Sequence, residues 1–141
     1  MAKTSENTNS DARIGPMLQA GLEHHRAGRL KQAEASYREV LVLAPDNGDA
    51  HNLMCGLMLQ SGDSAQAIEH GRAAVQAQPD AAAFWNTLGA ALRRGGDISA
   101  SIEAFTNALT HDPKQPDARR NLAGTLAQAG QFEAAEKAYR G

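Results

Sequence analysis

Apolar residues along most of the chain recur every three or four positions, which places them on one face of an α-helix. Trp85, Leu88 and Leu92 form one such set, and Ile98, Ile102, Phe105 and Leu109 form a second set on one helical face. Between these sets, Gly96 favours the left-handed turn that ends a helix, and Asp97 can cap the start of the next helix. The pattern predicts eight helices and no strand, with helices at 11–27, 30–43, 47–61, 64–77, 81–94, 98–111, 115–129 and 132–140.

Four sets of positions repeat with a spacing of 34 residues. The first set consists of glycines, the second of prolines, the third of small residues and the fourth of aromatic residues. The sets are Gly28, Gly62, Gly96 and Gly130; Pro45, Pro79 and Pro113; Ala33, Ala67, Ser101 and Ala135; and Tyr37, Phe105 and Tyr139. A period shared by independent sets of positions indicates a repeat protein. We therefore predict a disordered polar tail over residues 1–12 and one domain over 13–141, with repeats at about 14–47, 48–81, 82–115 and 116–141, the last one incomplete.

The composition narrows the class of protein. Hydrophobic residues make up 42% of the 141 residues but aromatic residues only 4%, which favours closely packed helices. The formal net charge of −2 gives no general attraction to nucleic acid or to an anionic membrane, and no apolar run suits a secretory signal or a membrane span. The single cysteine, Cys55, excludes an intrachain disulfide framework. The chain is predicted to be soluble and cytoplasmic.

The repeat resembles the tetratricopeptide repeat, a 34-residue helix–turn–helix unit. The resemblance is strongest in the third unit, where it is carried by Trp85, Leu88, Gly89, Leu92, Phe105 and Pro113. It implies an all-α solenoid with a right-handed superhelix of about 3.75 repeats over residues 14–141. The structural positions it assigns are Gly28, Tyr37, Gly62, Trp85, Leu88, Gly89, Gly96, Phe105, Gly130 and Tyr139.

The other units depart from this pattern. Met17, His51 and Arg119 stand at the position of Trp85, Cys55 stands at that of Gly89, and Gly71 stands at that of Phe105. His51 and Cys55, four residues apart on one predicted helix, could together chelate a metal, but a tetrahedral site needs four ligands and the packing positions they occupy explain them as well. The adjacent His24 and His25 face different directions, His25 towards the groove described below. We predict no catalytic residue, no metal and no cofactor, and hence a chain that is not an enzyme.

The resemblance also implies that the first helix of each unit lines a concave groove that binds a peptide or partner protein. The aligned positions on these helices are small, amide or arginine residues, namely Asn52, Gly56, Asn86, Ala90, Arg93, Arg94, Arg120 and Gly124. Amides can donate to and accept from a peptide backbone, and arginines can bind carboxylates, so an acidic partner would suit them. The alternative is that these are ordinary solvated positions.

Two known groove types match this chain poorly. In the clamp that holds chaperone tails, lysine and asparagine would stand where this chain has Leu18 and Leu22. In the asparagine ladder of the O-linked sugar transferases, only Asn121 matches, since Leu53 and Thr87 occupy the other positions. We predict a protein-interaction module or scaffold, and as the alternative the N-terminal recruiting arm of a larger enzyme such as a glycosyltransferase or sulfotransferase.

The fourth repeat lacks the proline that closes the other three, and its last helix lacks the polar outer face typical of a terminal repeat. Phe132 and Tyr139 are expected to lie partly uncovered at this end. We expect either that the chain is a fragment of a longer protein or that it associates with itself through this end.

Overall fold

The computed structural model describes the backbone of residues 2–140 and the side chains of residues 12–140. Within this range the chain forms eight α-helices and no strand. The helices are α1 (Ala2–Arg26), α2 (Leu30–Leu43), α3 (Gly48–Ser61), α4 (Ser64–Ala77), α5 (Ala82–Arg94), α6 (Ile98–His111), α7 (Ala118–Gln128) and α8 (Phe132–Arg140). None of these helices combines the length and apolar content needed to span a lipid bilayer.

The helices follow the predicted bounds closely except at two places. Helix α1 extends back to Ala2, where the sequence predicts a polar tail, because adding residues to an existing helix costs far less than starting one. Helix α7 begins at Ala118 rather than at residue 115, because Pro116 and the left-handed Asp117 (φ 65°) keep the preceding segment out of helical geometry.

The helices stack as antiparallel pairs, each pair being one repeat. We call α1, α3, α5 and α7 the inner helices and α2, α4, α6 and α8 the outer helices. Each outer helix packs on its own inner helix, and α2, α4 and α6 also pack on the inner helix of the next repeat. Inner helices α3, α5 and α7 also contact their neighbours along the stack, whereas outer helices make no comparable contact with one another in the described chain. The stack therefore curves towards the inner helices, which line its concave side.

In the first and third repeats, a glycine on the inner helix faces an aromatic ring on the outer helix of the same repeat. A Cβ atom built on Gly21 would lie 2.4 Å from a ring atom of Tyr37, and one built on Gly89 would lie 2.5 Å from Phe105. Both rings are buried, so these pairs set the separation of the two helices. In the second repeat the larger residue, Cys55, is on the inner helix, and it faces Gly71 on the outer helix. Leu88 of the next repeat occupies the space that an aromatic ring would fill at position 71.

The turns within the repeats share one geometry. Gly28, Gly62, Gly96 and Gly130 all have a φ between 79° and 90°, which confirms the predicted left-handed turns. Asp97 then accepts a hydrogen bond from the backbone N–H of Ala100, as expected of a cap. The left-handed glycines and the capping residue explain why the helices on either side of these turns end and begin close to the predicted residues.

Trp85 is half-buried, and it both packs against the core and forms a hydrogen bond to the turn that precedes its helix. Its Nε1 donates to the carbonyl oxygen of Pro79 at 2.7 Å, and the ring packs against the cluster that contains Val75 and Leu88. His51 contacts the carbonyl of Pro45 in the same way at 2.8 Å, six residues away in each case. The Trp85 position thus ties the interrepeat turn to its inner helix through a side-chain N–H, which residues of different size can supply.

Candidate functional site

Hydrogen bonds join the inner helices along the concave side, always between a residue and the one 35 positions later. The four bonds are His25–Gln60 (2.7 Å), Leu59–Arg94 (3.0 Å), Asn86–Asn121 (3.1 Å) and Arg93–Gln128 (2.9 Å). We call this set the interrepeat ladder. It fixes the spacing of neighbouring repeats and therefore the curvature of the groove.

Two bonds of the ladder, Asn86–Asn121 and Arg93–Gln128, join α5 and α7, and an open cavity of about 380 Å³ lies between these two helices. Its walls are Ala90, Arg93, Arg94, Phe105, Asn121 and Gln128, so three of the predicted groove residues come together here. Gly124 leaves room for the Arg93 guanidinium, because a Cβ atom there would lie 3.3 Å from Nη1. A side chain at Gly124 would therefore shift the Arg93 guanidinium slightly from its present position.

The cavity carries the positive charges of Arg93 and Arg94, and neither arginine forms an ion pair with a carboxylate of residues 12–140. Arg93 is half-buried and uses Nε to bind the side-chain oxygen of Gln128. Arg94 donates from Nη1 to the carbonyl of Leu59 in the last turn of α3, a helix end where positive charge is favoured. The ion pairs within residues 12–140 involve other arginines, at 38, 120 and 140.

The remaining predicted groove residues lie along the same inner helices but outside this cavity. Gly56 faces open space, with no atom within 4 Å of an added Cβ atom. Asn52 is half-buried, and its Oδ1 is buried without a hydrogen-bond partner in the described chain. Arg120 is exposed and forms an ion pair with Asp117. The side-chain oxygen of Asn86 accepts from Asn121, and its Nδ2 makes no hydrogen bond within the described residues.

Sequence reasoning did not assign Asn121 and Gln128 to the cavity. Aligning positions at a spacing of 34 compares equivalent residues, whereas side chains that touch across repeats are 35 apart. Polar pairs at that longer spacing are visible in the sequence, and they would have identified both residues.

The structure separates His51 from Cys55, the pair considered as metal ligands. Both ring nitrogens of His51 point elsewhere, Nε2 to the carbonyl of Pro45 and Nδ1 to the Nδ1 of His70 at 3.1 Å. Cys55 is fully buried, and burial raises the pKa of its thiol to about 12. The thiol is therefore protonated at neutral pH and acts as a small packing residue.

The burial of His70 makes stability depend on pH, and its contact with His51 adds to this effect. Burial, with further contributions from His51 and Arg38, lowers the pKa of His70 below its ordinary 6.5, while Glu69 and Glu34 oppose the shift. The folded chain favours neutral His70, so this stabilisation is complete above pH 6.5 and is lost as the pH falls.

We expect the free energy of unfolding to fall between pH 7.5 and pH 5.5 more steeply in the wild-type chain than in His70→Gln. Urea unfolding followed by circular dichroism measures it. The matched variant His111→Gln, at the exposed end of α6, should keep the wild-type slope. Equal slopes for wild type and His70→Gln would contradict the assignment.

Comparison with known proteins agrees with this architecture. A family model described as tetratricopeptide repeat matches residues 24–92 and 92–141. The chain is 40% identical over 101 residues to protein FlbA of Caulobacter vibrioides, a match that covers 72% of this chain and 16% of FlbA.

Solved structures share the fold. A mutant O-GlcNAc transferase of Thermobaculum terrenum has a TM-score of 0.79 and 29% identity, covering 83% of this chain and 22% of that chain. The first TPR of Spaghetti (RPAP3), bound to the HSP90 peptide SRMEEVD, has a TM-score of 0.79 and 14% identity, covering 83% of this chain and 93% of that chain.

The chain thus spans a small part of FlbA and of the transferase. Repeats of this kind form scaffolds for protein–protein interaction, with an extended concave binding surface, and are generally non-catalytic. The repeat period, the paired helices and the family match lead to one assignment: the chain belongs to the tetratricopeptide repeat family.

Proposed function

We propose that the chain binds an acidic peptide or an acidic segment of a partner protein in the concave groove, centred on the cavity between α5 and α7. The observation that carries the proposal is the guanidinium of Arg93, which lines that cavity, belongs to a half-buried residue and forms no ion pair with the described carboxylates. A guanidinium in such a place forms strong charge-assisted hydrogen bonds with a carboxylate.

The contacts of Arg93 support a binding role. Gln128 holds Nε and Gly124 leaves space beside the guanidinium, so the side chain is oriented before a ligand arrives. Orientation in advance lowers the entropy that binding would otherwise cost. The Nδ2 of Asn86, which makes no bond within the described chain, can donate to a peptide carbonyl nearby.

The test uses a peptide selected from a random phage-displayed library on the wild-type chain, then synthesised with a fluorescent label. Arg93→Gln should weaken its binding at least about tenfold, since hydrogen bonds to charged groups contribute about 1.5–3 kcal/mol. Fluorescence anisotropy measures the affinity, and the selected peptides should contain Asp or Glu.

The matched control is Arg72→Gln, the same change at an exposed arginine of outer helix α4. It should change the affinity less than about twofold, because exposed charges on another face contribute little. Circular dichroism of both variants separates binding from folding. Unchanged affinity of Arg93→Gln, or loss of binding in Arg72→Gln alone, would place the peptide elsewhere.

A second candidate is a recruiting arm of a larger enzyme. The match to the O-GlcNAc transferase favours it, because this chain covers only 22% of that protein. In this case the same groove would bring substrate proteins to a catalytic domain encoded after residue 141. Reading the gene beyond that residue tests the idea, and a stop codon directly after it would exclude the arm.

We also propose a second interaction surface at the end of α8, through which the chain associates with itself. Phe132 is 70% exposed and Tyr139 59% exposed, although large aromatic residues are usually covered in such folds. The support is the contrast with Phe105, which occupies the position of Tyr139 one repeat earlier and is 1% exposed.

A further inference from the structure

Helix α8 carries an exposed stripe in which similar or complementary residues are spaced seven positions apart. Phe132 and Tyr139 are seven residues apart, so they lie two turns apart on nearly the same face. Glu133 and Arg140 have the same spacing and form a parallel charged row beside the aromatic one. Ala135 is three residues after Phe132 and four before Tyr139, so it lies beside the aromatic row, on the flank that faces the repeat, and it is buried. The stripe thus combines one apolar row and one charged row.

Each of the two rows has a different residue at its two ends. The aromatic row runs from Phe132 to Tyr139, while the charged row runs from the acidic Glu133 to the basic Arg140. A second α8 placed antiparallel would set Phe132 against the partner Tyr139 and Glu133 against the partner Arg140. Both contacts then occur twice about a two-fold axis, which is what an isologous interface requires.

Glu136 lies close to that axis, where two like charges would approach each other. It already forms an ion pair with Arg140 of its own helix, with 2.7 Å between Oε1 and Nη2. The guanidinium of Arg140 has five donors, so it can bind Glu136 and the partner Glu133 together. A parallel pair would instead place Glu133 against Glu133 and Arg140 against Arg140, which is repulsive.

We propose that the occupant of this surface is a second copy of the chain, bound as a two-fold homodimer through antiparallel α8 helices. The inference rests on the proposed self-association surface and specifies its geometry. In the dimer the two aromatic rows cover each other, as α7 covers the corresponding side of α6 within the chain.

The first measurement is sedimentation equilibrium of the full chain over a range of concentrations. The average mass of the wild type should rise from one chain towards two, and Phe132→Ala/Tyr139→Ala should remain at one chain while its circular dichroism stays helical. The control Val42→Ala, at a residue 80% exposed on α2, should behave as the wild type. A wild type that is monomeric at every concentration would overturn self-association itself.

The second measurement tests the geometry by cross-linking. Phe132→Cys and Tyr139→Cys proteins, above the concentration at which the wild type dimerises, should form a disulfide-linked dimer when mixed and oxidised, and neither should do so alone. The native Cys55 is fully buried and contributes no background. Cross-linking of Phe132→Cys with itself, or no cross-link in the mixture, would overturn the antiparallel pairing while leaving self-association intact.

Discussion

Phe105→Ala is expected to lower the free energy of unfolding by about 3–5 kcal/mol. The ring is 1% exposed and lies so close to Gly89 that it fills the space between α5 and α6. Removing it leaves a cavity that rigid helix–helix packing cannot close, and the cost of such a cavity adds to the lost burial of the ring. Guanidinium unfolding followed by circular dichroism measures the change.

Phe132→Ala is the matched control, because it makes the same chemical change at a ring that is 70% exposed. At a concentration where the chain is monomeric, we expect a loss below about 0.5 kcal/mol, as for most surface substitutions. If the two alanine variants lost equal stability, Phe105 would not be the residue that holds its repeat together.

The four outer helices begin and end at the residues that the sequence predicts. A glycine in the left-handed conformation precedes each of them, and such a signal is local, so it can be read without knowing the fold. The start of inner helix α7 was harder to predict, because Pro116 and the left-handed Asp117 keep the preceding segment out of helical geometry. The first residue of α7 therefore depends on the conformation of the preceding turn, which the repeat period does not reveal.

The candidate site was only partly predictable. The 34-residue alignment predicted a shared surface for Ala90, Arg93 and Arg94, and these residues of α5 line one cavity. It gave no information on what each side chain touches. Arg94 binds the end of α3 while Arg93 does not, and that difference follows from how neighbouring helices are displaced along the stack.

The second repeat shows how two residues that depart from the repeat pattern can still serve as packing residues. Cys55 and Gly71 both depart from the repeat pattern, and each change alone would leave a void or a clash. Together they are compatible, because Leu88 of the third repeat fills the space. Pairwise compensation of this kind is invisible when each position is compared with its own set.

Gly89→Ala is expected to destabilise the wild-type chain by about 1–2 kcal/mol, even though alanine favours a helix by about 1 kcal/mol over glycine. The added methyl group would lie 2.5 Å from Cε1 of Phe105, so the ring or the helix has to shift, and such overpacking costs about 1–3 kcal/mol. In the Phe105→Ala background the obstacle is gone, and the same substitution should stabilise the chain by about 1 kcal/mol.

The sign reversal between the two backgrounds is the test, because it corresponds to a coupling of about 2–3 kcal/mol in a double-mutant cycle. Gly56→Ala provides the control, since this helical glycine of α3 has open space around it and should gain stability in either background. If Gly89→Ala had the same effect with and without the Phe105 ring, the two residues would not set the separation of α5 and α6. A reversal would show that the pair, rather than either residue, is the unit that the repeat preserves.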